Sequence, residues 1–201
     1  MSNSLKSFFL FFLVAVLGMS CANKKVKVQY DSVFQKRINT LFKDASKSPL
    51  KAKDLKTFAS LSFFPIDSNF VVQAKLTPTP NSAYFDMKTN TERISKERIF
   101  GVLSFRLLDK NIKLNVYQSI DSAAVKSNYL FLPFLDETNG LSTYGGGRYM
   151  DLTVPKSDSI WLDFNTAYNP YCAYNERYSC PIVPRENYIP LTVQAGVKRF
   201  K

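Results

Sequence analysis

Two stretches of this chain concentrate residues able to do chemistry. The first is YGGGR, Tyr144 to Arg148. Successive glycines permit positive φ and close backbone approach. Their exposed N–H groups can cradle an anion, and Arg148 stands beside them. An oxyanion or phosphate nest of Gly145, Gly146, Gly147 and Arg148 is the functional reading. A tight turn, with Arg148 paired to a carboxylate such as Asp136 or Asp151, is the structural one. The spacing of neither the P-loop nor the dinucleotide motif is present. The second stretch is YNPYCAYNERYSCPIVP, residues 168–184. Its tyrosines offer flat faces with a polar tip, suited to sugars or other flat ligands and equally to packing. Prolines at 170, 181, 184 and 190 forbid long regular structure there.

Cys172 and Cys180 enclose seven residues. A disulfide over that loop would contribute roughly 2.5 kcal/mol in the chain-entropy model. Structural free thiols, or one reactive Cys with its pKa lowered by Arg177, are the other readings. Asp136, Glu137, Asp151 and Asp163 fall near expected strand ends. Two of them converging would make an acid–base pair of the kind that cleaves glycosides. Surface charge or arginine pairing is the simpler reading, since nothing in the linear spacing demonstrates convergence.

The chain has no histidine. That removes Ser-His-Asp and Cys-His catalysis, the metalloprotease helix motif and most zinc and copper sites. Two cysteines without histidine are too few for a metal centre. No metal and no cofactor are expected. The net charge is +11 over 201 residues, dispersed without a run of five basic residues. It favours anionic surroundings such as a membrane surface or polyanionic glycan.

The N-terminus reads as an address. Lys6 precedes ten unbroken apolar residues, Phe8 to Leu17. Spanning a bilayer needs ~20, so the run fits a signal-peptide core. Gly18, Ser20 and then Cys21 follow. A signal core ending at Cys resembles the lipobox of bacterial lipoproteins, although Leu17 stands one position early. Residues 1–20 are therefore expected to be removed, Cys21 to carry lipid, and residues 21–28 to form a basic tether. Export to the envelope permits disulfides and argues against a nucleic-acid partner.

Residues 29–201 carry no linker or repeat and read as one globular domain. Val33, Phe34, Ile38, Leu41, Phe42 and Ala45 recur at helical spacing, ended by Pro49. A short helix or turn covers Lys51 to Ala59. Alternating or β-branched runs then predict strands at 69–76, 82–87, 97–109, 111–119, 128–136, 148–154, 159–164 and 189–195. In the third, Ile99, Gly101, Leu103, Phe105 and Leu107 share one parity. A turn at Asp109-Lys110-Asn111 predicts a hairpin. The expected fold is mainly β (α+β): an antiparallel sandwich or barrel of about eight strands with an N-terminal helical segment.

At the two chemical stretches the chain resembles a bacterial family known only as domain of unknown function 1684, here in the form of a Bacteroidetes-type envelope lipoprotein. The family pattern Tyr-Gly-Gly-Gly-Arg-Tyr-x-Asp-Leu appears as YGGGRYMDL, 144–152. Asp-Phe-Asn-x-Ala-Tyr-Asn-Pro-x-Cys-Ala-Tyr appears as DFNTAYNPYCAY, 163–174. Cys-Pro-x-Pro-Pro-x-Glu-Asn appears as CPIVPREN, 180–187, with Val183 in place of the first paired proline. FKDASKSPLKAKDLKTFASLSFFP, 42–65, is similar to the family's N-terminal part. The resemblance implies one family domain and supplies no activity. Its motifs are rich in polar residues of little packing value, which favours a site.

The residues singled out as ligand contacts are Tyr144, Gly145, Gly146, Gly147, Arg148, Asn165, Tyr168, Asn169, Tyr174 and Asn187. Glu186 and Asp163 are candidate acid–base groups. The leading expectation is a membrane-anchored envelope protein that binds a small anionic or polar ligand, or a glycan, with Arg148 on its anionic group. A histidine-free hydrolase and a purely structural envelope protein are the alternatives.

Overall fold

The computed structural model describes residues 33–120, 125–126 and 128–201. The signal segment, Cys21 and the tether lie outside the described residues. Helix α1 (Val33–Lys43) buries Ile38 and Phe42, as its spacing predicts. A single further turn, α2 (Ala52–Leu55), stands where the second helix was expected.

The strands are β1 (Val71–Pro78), β2 (Tyr84–Lys88), β3 (Ile94–Leu107), β4 (Lys110–Ser119), β5 (Tyr129–Asp136), β6 (Arg148–Thr153), β7 (Ser159–Asp163) and β8 (Tyr188–Ile189). They join one curled, half-barrel sheet in the order β6-β5-β4-β3-β1-β7, with β2 paired to β3 and β8 to β5. The β5–β8 ladder is parallel and the others are antiparallel. The mainly β reading thus holds, with two adjustments. The β3–β4 turn falls at Leu108-Asp109, where Leu108 takes a φ of 52°. The strand expected at 189–195 pairs only at its start, because the carbonyls of Val193 and Ala195 go to a side chain instead of a ladder.

That side chain is Arg148. It is 0% exposed, and its guanidinium donates to Asp136 Oδ2 at 2.7 Å and to Val193 O at 2.9 Å. It also donates to Ala195 O, and it lies over the Phe134 ring at 5.1 Å. Asp136 is equally buried, and its other oxygen accepts the Thr138 N–H at 2.8 Å. The pair ties β6, the end of β5 and the C-terminal segment into one unit. Burial pulls the guanidinium pKa down, and the Asp136 carboxylate opposes this. Arg148 cannot meet a ligand, so the anion-holding role expected for it is corrected. Its terminal nitrogens are already bonded inside the protein, and its Nε–H is buried without a partner.

The glycine loop is a turn, not a nest. Gly145 and Gly146 are exposed, and the Gly147 N–H donates to Tyr144 O at 3.2 Å. Gly147 has a φ of +89°, and a Cβ there would lie 2.7 Å from Phe134 O. Glycine lets β6 begin tight against β5 with Arg148 pointing inward.

The main core lies on the Arg148 side of the sheet and includes Leu103, Leu114, Leu130, Leu132, Phe134, Met150 and Leu162. Smaller clusters lie elsewhere. One joins α1 to Tyr174 and Val197, and another holds Tyr117, Phe131, Tyr149 and Val183.

Replacing Arg148 by Ala strands Asp136 as a buried, uncompensated charge. The expected loss in stability is about 3–5 kcal/mol, measured by chemical denaturation. A binding role alone would leave the denaturation midpoint unchanged.

Candidate functional site

Strand alternation puts every second side chain on the face opposite the main core. On β6 those are Tyr149 and Asp151, and on β5 they are Tyr129 and Phe131. Tyr117 stands opposite Phe131, and Phe131 opposite Asp151, so one row crosses three strands. On β3 an irregularity intervenes. The register passes from Ile99↔Tyr117 to Gly101↔Val116, which leaves Phe100 as an extra residue. One extra residue reverses the faces. Leu103 and Leu107 therefore enter the main core, while Glu97 and Ile99, of the same parity, face the other way.

These side chains form one wall of a cleft of about 660 Å³. Phe34, Arg37, Ile38 and Leu41 of α1 form the facing wall. The tyrosine-rich loop closes one end with Tyr168, Pro170, Tyr171 and the segment Tyr178 to Pro181. The rings brace each other: Phe131 and Tyr149 meet edge to face at 4.7 Å, and Tyr171 meets Tyr178 at 5.3 Å. The Tyr149 hydroxyl donates to Pro181 O.

Two carboxyl groups give the cleft its polarity. Asp151 accepts hydrogen bonds from the Tyr168 hydroxyl at 2.5 Å and the Tyr129 hydroxyl at 2.8 Å. Burial first, and the Asp151 charge second, push both tyrosine pKa values up, so the hydroxyls stay protonated donors. Glu97 is only 5% exposed. Its Oε1 accepts from Ser95 at 2.8 Å, whereas Oε2 is buried with no partner. Burial raises the Glu97 pKa, and the Ser95 bond opposes the rise only in part. Arg37, at the rim, is the one cation among the described residues that face the cleft.

Of the residues singled out as ligand contacts, Tyr168 alone lines this cleft, joined by Asp151 and Cys180 from the other candidates. Tyr144 packs over Gly146, its hydroxyl 3.8 Å from Cys172 Sγ. Asn165 is buried, donating to Asp67 O at 3.0 Å and to Asp163 Oδ1 at 2.8 Å. Asn169 donates to Lys198 O at 3.0 Å and to the Tyr174 hydroxyl at 3.3 Å, and Tyr174 is core against Phe42. Asn187 binds Asn115 N and O at 2.9 and 2.8 Å and Pro133 O at 2.7 Å. Asn165 and Asn187 are engaged with the protein through both amide groups as stand-ins for a peptide group, whereas Asn169 Oδ1 is buried without a partner. None of the three lines the cleft, which corrects the expectation that they are its ligand contacts. Asp163 caps the 3₁₀ turn Phe164–Thr166, and Glu186 is exposed away from the cleft, so neither is an acid–base group of this site.

Cys172 and Cys180 are free thiols, where a bridge was expected. They meet through a hydrogen bond: the Cys172 N–H donates to Cys180 Sγ at 3.2 Å. Arg177 is turned to the Tyr178 hydroxyl, 2.8 Å away, and does not act on them.

With the geometry in view, relatives decide the family. The family described as Protein of unknown function (DUF1684) matches residues 56–198. The chain belongs to that family. The DUF1684 match covers the sheet wall and the tyrosine loop and begins after α1. The chain is 32% identical to an uncharacterized protein of Haloarcula marismortui solved by solution NMR. That likeness covers 82% of this chain and 89% of the other, with a TM-score of 0.66. No functionally curated protein matches.

A carboxyl group whose folded pKa is raised holds its proton more tightly in the folded state. The folded state is then favoured below the ordinary value near 4.3 and loses that advantage as pH rises through the raised one. Glu97→Gln removes the ionisable group. The variant is expected to melt about 2–4 °C above the parent at pH 7, roughly 1 kcal/mol for a chain of this size. The gap should vanish near pH 4 in calorimetric scans.

Proposed function

We propose that this cleft is a binding site for an uncharged or cationic, hydroxyl-rich ligand, and that a saccharide unit of an envelope glycan has the fitting chemistry. The observation that carries the reading is Glu97, which lines the cleft with one buried carboxylate oxygen left without a partner. A buried acceptor costs stability until something donates to it. Tyrosine faces opposite α1 supply the flat apolar surface that the C–H faces of a sugar need. An anionic ligand fits less well, because among the described residues two carboxyl groups face the cleft against one rim arginine.

Ile99, Tyr117, Phe131 and Asp151 stand in one row across four strands, and Glu97 is two residues from Ile99 on β3. The two carboxyl groups therefore rise from strands three interstrand steps apart, about 14 Å along the backbone. That arrangement suits a ligand gripped at two ends, with Tyr129 between the two groups.

The protein is proposed to work at a membrane, anchored through lipid on Cys21, most simply on the periplasmic side. The lipobox-like segment and the basic residues after it support this reading. Among the described residues no helix is long and apolar enough to cross a bilayer.

Two experiments test these readings. Calorimetric titration with neutral and amine-bearing cell-wall saccharides should give saturable binding, weakened about 10–100-fold in Glu97→Gln. A preference for phosphorylated sugars, unaffected by that change, would reject the cleft chemistry. Cys21→Ser should move the protein from the membrane fraction to the soluble one, and unchanged membrane retention rejects the anchor.

A further inference from the structure

The thiol pair has a different character from the cleft beside it. Cys180 is pinned. Its N–H donates to Asn90 Oδ1 at 2.6 Å, its carbonyl accepts the Asn90 N–H at 3.0 Å, and it is 8% exposed. Cys172 sits in the short 3₁₀ turn Tyr171–Ala173 and is half-buried. The Cys180 sulfur already lies 3.2 Å from the Cys172 backbone nitrogen. The Tyr144 hydroxyl approaches Cys172 Sγ from the other side, at 3.8 Å. One accessible sulfur is thus backed by a second, shielded sulfur within reach, on a loop that closes without rearranging the sheet.

We infer that Cys172 and Cys180 form a dithiol exchange site for a disulfide substrate, with Cys172 as the attacking sulfur and Cys180 as the resolving one. The Cys172 thiolate attacks one substrate sulfur, the substrate S–S bond breaks, and one half leaves as a thiolate that takes up a proton. Cys180 then gives up its proton and attacks the Cys172 sulfur. The mixed disulfide breaks and the second half leaves as a thiol. Two electrons pass from the protein to the substrate, and a Cys172–Cys180 bridge remains. Further turnovers need a thiol reductant to reopen it.

The surroundings agree with this division of labour. The hydrogen bond from Cys180, helped by Tyr144 and working against burial, lowers the Cys172 pKa to about 7. The same bond raises that of Cys180, which keeps its proton. Tyr144 is pushed up to about 12, by burial and by Cys172, so it faces the thiolate as a neutral donor. Tyr149 and Tyr171 also feel Cys180, and burial raises both. No acidic or basic side chain contributes to the Cys172 shift.

The test uses the reduced mature protein and glutathione disulfide, followed by acid quench and peptide mass mapping. Wild type should pass through glutathione on Cys172 to an internal bridge. Cys180→Ser should stop at the Cys172 adduct, and Cys172→Ser should form neither product at a comparable rate. Wild-type glutathione disulfide consumption should rise with pH through a midpoint near 7, against ~8.5 for an unperturbed thiol. That profile decides the matter alone if a variant misfolds. An adduct first on Cys180, or an ordinary midpoint, overturns the inference. So does a bridge that a mild dithiol cannot reopen, since that marks a structural staple.

Discussion

The ion pair between Arg148 and Asp136 is the constraint on which the rest of the structure depends. A guanidinium with no exposure needs partners for its charge and its donors, or it would not stay buried. It finds them, for all but Nε, on two separate parts of the chain: the end of β5, and the C-terminal segment with the carbonyls of Val193 and Ala195. Meeting those demands sets which way the first residue of β6 points. Once Arg148 faces the core, Tyr149 and Asp151 must face the cleft. The polarity of the site is thus a by-product of a pair that no ligand touches.

Much of the fold was legible in the sequence, because period-two alternation is a local property. Seven strands could be placed, as could α1, while the eighth was legible only at its start. The faces were harder to read. Arg148 next to three glycines looks like an open anion site, and its true partners lie 12 to 47 residues away in sequence. Glu97 shares its parity with Leu103 and Phe105, and only the extra residue at Phe100 separates their faces. The signal that could have found it was an acidic residue in phase with an apolar run. Asp151 was noticed as a carboxylate near a strand end, but not as the one that two tyrosines would hold.

The family motifs interleave two jobs. In YGGGRYMDL the residues Gly147, Arg148 and Met150 build the interior, while Tyr149 and Asp151 build the cleft. The asparagines of DFNTAYNPYCAY and CPIVPREN serve as side-chain peptide mimics. Asn187 does so most plainly: β4 and β5 pair at Tyr117↔Phe131, and farther along its amide bridges Asn115 and Pro133. Proline has no N–H to give a ladder, and an asparagine side chain fills the vacancy. Polar richness in a motif therefore marked scaffolding as often as chemistry.

The facing wall of the cleft is built differently. Helix α1 is a separate 11-residue element that precedes the sheet in the chain. The tyrosines and carboxylates of the sheet are aimed by strand pairing, whereas Phe34, Arg37 and Leu41 are aimed by helical spacing alone. The taste of the cleft for its ligand can therefore be rewritten within one short helix without disturbing the sheet.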